Sequence, residues 1–135
     1  MMACVFSVTW IPDESDVDGN GHVNNVRYVD WMQRAAILHA RESGCEELTE
    51  SLGATWFARS HAIQYKLQAW KDESIRVETW VENFKRVMSL RKYKFIHQNS
   101  GKLIAEAETE WVFVDAKNGK PRSIPSEMGS LFGLV

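Results

Sequence analysis

These 135 residues contain two cysteines, three prolines and no long apolar run, and each scarcity excludes something. Cys4 and Cys45 stand far apart and form no C-x-x-C pair, so they offer no disulfide framework and suit a reducing compartment. No stretch approaches the roughly 20 apolar residues that a membrane-spanning helix needs, and Met1 to Trp10 lacks a basic region followed by an apolar one. We therefore expect a cytoplasmic protein with no membrane partner. A net charge of −2 gives no positive field to gather a phosphate backbone, so a nucleic-acid partner is not expected. Internal repeats, low-complexity tracts and linkers are absent, and residues 1–135 are expected to form one domain, long enough to close its own core. The histidines, His22, His39, His61 and His97, show none of the spacings of zinc sites, so no metal and no cofactor is expected.

What is present is the 44% apolar and 25% charged content of a globular chain. Val5 to Ile11 alternates as a strand, and Pro12 to Gly21, rich in Asp, Ser, Asn and Gly, reads as a loop. From Asn24 to about Arg41 the period becomes helical, with Tyr28, Val29, Met32, Ala35, Ala36 and Leu38 in phase and Val26, Trp31 and Ile37 widening the stripe. A helix apolar around so much of its girth is expected to be enclosed, with Asn24 or Asn25 as its N-cap and Gly44 at its stop. Four strand-like stretches follow, Thr55 to Gln68, Ser74 to Asn83, Val87 to Gln98 and Lys102 to Val114, separated by polar turns. Consecutive strands with tight turns predict an antiparallel sheet. The plan is α+β, a curved antiparallel five-stranded sheet wrapped around one long central helix. Exposed sheet edges favour pairing with a second copy, so a homodimer is expected.

The junction of loop and helix, Asp16 to Tyr28, concentrates carboxylates beside a helix start. First-turn N–H groups have no intrahelical partner and, with the macrodipole, favour negative charge. A carbonyl placed there would have its developing oxyanion held by fixed donors, each worth roughly 3 kcal/mol. Asp16 or Asp18 could then act as a general base or as a nucleophile. Taken alone, such a loop is as often an ordinary connector. It also matches the first half of a calcium loop through Asp16, Asp18, Asn20 and Gly21, but Arg27 stands where that loop needs a bidentate Glu.

The run Asp16-x-Asp18-x-x-Gly21-His22-Val23-Asn24-Asn25-x-x-Tyr28 resembles the signature of the hot-dog thioesterases, the group typified by 4-hydroxybenzoyl-CoA thioesterase and including plant acyl-ACP thioesterases. The resemblance continues through Ile63-Gln64-Tyr65, Ile75 to Thr79, Glu108 to Asp115 and Gly119 to Pro125, and so spans nearly the whole chain. It implies a hot-dog fold and hydrolysis of an acyl-CoA or acyl-ACP thioester without a cofactor. It also implies that Asp18 is the catalytic carboxylate and that the Asn25 amide polarises the carbonyl, with Gly21 and His22 lining the turn. The family's active sites lie between subunits, which implies a homodimer, assembling further to a homotetramer. Asn24 and Tyr28, inside the motif, are expected to meet substrate.

Five basic residues and no acid fall between Lys85 and Lys94, namely Lys85, Arg86, Arg91, Lys92 and Lys94. They predict a positive patch able to hold coenzyme A phosphates or an acidic carrier protein, with Arg86 and Arg91 as its substrate contacts. Arg59 and His61 are further candidates for substrate binding. Two rival functions share the expected fold: a non-catalytic acyl-CoA or acyl-ACP binding module, against which the intact Asp18 speaks, and a hydratase, to which the His-Val-Asn-Asn run is foreign.

Overall fold

The computed structural model describes residues 4–134. Strand β1 (Phe6–Trp10) leads through a single 3-10 turn (Glu14–Asp16) and a tight loop into helix α1 (Asn25–Ser43). Tyr28, Met32, Ala35, Ala36 and His39 recur at three- and four-residue steps along α1, so one face of the helix is buried. Gly44 ends it in the left-handed conformation, φ 90°, where a side chain would be strained, and its N–H closes on the Arg41 carbonyl at 3.4 Å. The short helix α2 (Cys45–Ser51) follows at once and was not expected from the sequence.

Four long strands complete the sheet: β2 (Ala54–Tyr65), β3 (Ile75–Lys85), β4 (Met88–His97) and β5 (Leu103–Asp115). Every pairing is antiparallel, and the order across the sheet is β1-β3-β4-β5-β2. Chain order therefore fails at one point. The Lys71-Asp72-Glu73 corner does not close a hairpin, because β2 crosses to the far edge and pairs with β5. Register shifts at Ala58/Ser60, Val81/Asn83 and Phe95/Ile96 bend the strands, and the sheet curves around α1. A last helix, α3 (Glu127–Leu131), packs at the carboxyl end of the core.

The core has two parts. Trp10, Tyr28, Met32, Ile75, Val77, Tyr93 and Phe95 lock the first half of α1 to the middle of the sheet. Cys45, Ala54, Val81, Phe113, Met128 and Phe132 form the second part. Burial of each large side chain contributes about 1.5–3 kcal/mol, which fixes the helix on the sheet. The expected all-round enclosure of α1 is not met within one chain: Val26 is 70% exposed and Ile37 46%. No helix among the described residues is long and apolar enough to cross a membrane.

Candidate active site

The loop before α1 is built by local hydrogen bonds. Asp13 caps the 3-10 turn, accepting from the Ser15 N–H at 2.8 Å, while Asp16 Oδ2 accepts from the Asp13 N–H at 3.0 Å. Val17 then bridges Val23, and between them Asp18 to Gly21 make a tight turn. The Asp18 N–H donates to the His22 carbonyl at 2.9 Å, and the Gly21 N–H to the Asp18 carbonyl at 3.0 Å. Gly21 takes φ 80°, so glycine is required there for conformation, not space: a methyl group would meet nothing nearer than Trp70 at 3.9 Å.

The two carboxylates of the motif are now distinct. Asp16 has both oxygens engaged, one by the Asp13 N–H and the other by Arg27 Nε at 3.7 Å. Asp18 uses Oδ1 alone, accepting from the backbone N–H of Asn20 at 2.9 Å and of His22 at 3.1 Å. Its Oδ2 has no partner among the described residues, and the side chain faces outward from this chain. Asp16 therefore supports the turn, and Asp18 is the carboxylate with a free oxygen.

The turn is pinned at both sides. The Val23 N–H donates to the Ala69 carbonyl at 2.9 Å, His22 bridges Trp70, and the His22 ring meets the Trp70 ring edge-on with centroids 4.1 Å apart. The Asn24 N–H donates to the Asp16 carbonyl at 2.8 Å, which delivers the chain directly into α1. Asn24 is the N-cap, yet its side chain makes no capping bond. The Arg27 N–H bonds back to Asn24, while the N–H groups of Asn25 and Val26 have no acceptor among the described residues. Tyr65 Oη donates to the Asn25 carbonyl at 3.4 Å and ties the end of β2 to the helix start.

Asp18, Gly21 and His22 thus share the turn, and Asn24 and Asn25 follow it at the start of α1. The other candidates are placed otherwise. Tyr28, expected to meet substrate, is 2% exposed and packed edge-on against Trp10, Tyr65 and Phe95, where burial raises its hydroxyl well above the usual phenol range. It anchors α1 instead. Arg59 and His61 lie six and four residues from Tyr65 on β2, roughly 20 and 13 Å along the strand. Arg59 contacts Met88 Sδ at 3.5 Å, and His61 Nδ1 is hydrogen-bonded to Thr109 Oγ1 at 2.8 Å, with burial pushing its pKa down.

The positive patch between Lys85 and Lys94 does not form. Arg86 is exposed on the β3–β4 turn, but Arg91 shares the inward face of β4 with Ser89, Tyr93 and Phe95 and is 5% exposed. Lys92 and Lys94 point the other way, where their cross-strand neighbours are Glu108 and Glu106. Trp70 was not singled out in the sequence; the signal for it is a large aromatic side chain at the edge of an otherwise polar corner, Lys71-Asp72-Glu73. Among the described residues no group of three His, Cys, Asp or Glu side chains is placed to hold a metal.

One long helix gripped by a curved antiparallel sheet, with a hydrogen-bonded polar turn at its amino end, defines a hot-dog protein. The model of the thioesterase-like superfamily matches residues 14–132, from the 3-10 turn to the end of the core, and the chain belongs to that superfamily. A chloroplastic dodecanoyl-[acyl-carrier-protein] hydrolase of Cinnamomum camphora is 26% identical over 100 residues, covering 74% of this chain and 23% of that protein. An acyl-ACP thioesterase from Bacteroides thetaiotaomicron superposes with a TM-score of 0.83 at 24% identity, over 89% of this chain and 49% of the other. A 1,4-dihydroxy-2-naphthoyl-CoA thioesterase from Synechocystis gives 0.83 at 16% identity over 94% of both chains. This chain spans about half or less of the first two.

Proposed function

We propose that this chain, as one domain and as a homodimer that pairs into homotetramers, hydrolyses acyl thioesters of coenzyme A or of an acyl carrier protein. The observation that carries the proposal is the free oxygen of Asp18 on a turn fixed against a helix start with two unengaged N–H groups, at Asn25 and Val26. The thioester oxygen takes its place before those amides and the Asn25 side chain, so that charge forming on it meets donors already in position. Asp18 either removes a proton from the attacking water or attacks the carbonyl carbon itself, giving an anhydride that water then opens. In both routes the C–S bond breaks, the sulfur leaves as a thiol after protonation, and the acid is released. A single turnover in isotopically labelled water identifies the second route where water opens the anhydride at the Asp18 carboxyl carbon, which leaves label in Asp18; opening at the acyl carbon, like the general-base route, puts the label in the product acid.

Two features support the dimer. The outer edge of β2 is unpaired, and the apolar side chains of Val26, Tyr65, Leu67 and Trp70, on or next to the turn and helix start, are exposed in one chain. A second copy laid over them excludes water from Asp18 and strengthens every charge interaction there. The deciding experiment replaces Asp18 by Asn and measures thiol release from a series of acyl-CoA esters. Turnover is expected to fall by about 10²–10⁴-fold with circular dichroism and assembly unchanged. Undiminished turnover would remove Asp18 from the chemistry.

A further inference from the structure

The carboxyl half of α1 covers a cavity of about 330 Å³, walled by apolar side chains that include Ala36, Ala40, Trp56, Val81 and Phe84. Arg91 lines it from β4. One face of the guanidinium lies 5.6 Å from the centroid of the Phe132 ring. Its Nη1 donates to His39 Nδ1 at 2.9 Å and to Thr79 Oγ1 at 3.0 Å, which uses both protons of that nitrogen. Nε and Nη2, with three further N–H groups, have neither a hydrogen-bond acceptor nor a carboxylate oxygen within 4.0 Å among the described residues. Ser89, also buried and two residues away on the same face of β4, has a hydroxyl with no partner among the described residues.

A guanidinium buried without a counter-charge costs several kcal/mol unless an anion joins it. Among the described residues the neighbouring ionisable groups do not supply one. His39 is held neutral, burial and the charge of Arg91 pushing it down to about 4, and burial pushes the Cys45 thiol up. Glu46 and Glu50 also line the cavity, from α2, but Glu46 is taken by Arg41 at 3.0 Å and Glu50 is exposed. We infer that this cavity binds a carboxylate carried on an apolar body, with the free fork of Arg91 receiving the carboxylate and the walls receiving the hydrocarbon. Asn25 and His39 are separated by roughly 21 Å of helix, so within one chain the cavity is distinct from the Asp18 turn. The inference therefore stands whether or not the turn hydrolyses thioesters. The carboxylate has two possible sources, a free fatty or aromatic acid and the distal end of an acyl group that carries a second carboxyl.

The test is calorimetric titration of the wild-type protein and of Asp18→Asn with sodium octanoate and with 1-octanol, which share a body and differ in charge. Octanoate is expected to bind at least tenfold more tightly than octanol to both proteins, and Arg91→Met is expected to abolish the difference. Equal binding of the two in the wild type, or an undiminished preference in Arg91→Met, overturns the inference, and the first of these outcomes needs no variant to fold. Turnover identifies the source. Faster hydrolysis of octadecanedioyl-CoA, whose extended chain is long enough to span the roughly 21 Å from the turn, than of stearoyl-CoA, lost in Arg91→Met, assigns the cavity to the distal end of the acyl group; octanoate binding without that preference assigns it to a free acid.

Discussion

The two ends of α1 are built in opposite ways. At the amino end, hydrogen bonds between residues two to four apart shape a turn that leaves Asp18 Oδ2 and two N–H groups unengaged on an open surface. At the carboxyl end, side chains from α1, α2, β2, β3 and β4 meet around a cavity whose charged member, Arg91, is 52 residues from its partner His39. The first kind of site is written in one short run of sequence. The second exists only when distant strands are in register.

The contrast can be broken by experiment. Its largest expected effect is at the turn, where Asp18→Asn should cost about a thousandfold in kcat. Asn25→Ala, which removes a side-chain donor at the helix start, should cost about a hundredfold in kcat with little change in the urea midpoint. Equal losses of activity and stability in either variant would mean that the turn is architecture alone.

At the other end the expected effect is on stability and depends on pH. His39 has a folded-state pKa of about 4, below its ordinary value of 6.5, because the ring is buried and Arg91 adjoins it, with Phe6 stacked on the ring and Phe132 perpendicular to it. The unfolded chain therefore binds the proton first as pH falls. Stability is full above about 6.5 and is lost on going down through the window to about 4. Between pH 7 and pH 5 the loss should approach about 2 kcal/mol, and His39→Gln should flatten that part of the urea-unfolding curve. A variant with the same pH dependence as the wild type would show that another group carries it. The smallest effect returns to the turn: Gly21→Ala, forced to φ 80°, should lower stability by about 1 kcal/mol in the same assay.

Legibility in the sequence followed range. The span of α1, its stop at Gly44 and the strands at Ser74 to Asn83, Val87 to Gln98 and Lys102 to Val114 are as read, because each depends on neighbours a few residues away. The edge position of β2 was not legible, since pairing Ala54 with Asp115 is decided by the whole sheet. Helix α2 has seven residues, too few for a period to emerge. Arg91 and Tyr28 are different cases, because their burial could have been read. Arg91 is in phase with Tyr93 and Phe95 at the two-residue period of a strand, and Tyr28 with Met32, Ala35 and His39 at the period of a helix. The basic residues between Lys85 and Lys94 divide between the two faces of β4, Arg91 inward and Lys92 and Lys94 outward.

Strand β2 offers a final consequence. Its twelve residues present one bare backbone edge, and Phe57, 60% exposed, stands on it. Such an edge pairs with whatever strand reaches it first, including that of a nascent or damaged neighbour. In the proposed dimer, self-association is a form of protection, and the hazard is greatest at dilution, when solitary copies outnumber assembled ones. Shelf life in solution should therefore lengthen, not shorten, as the protein is concentrated.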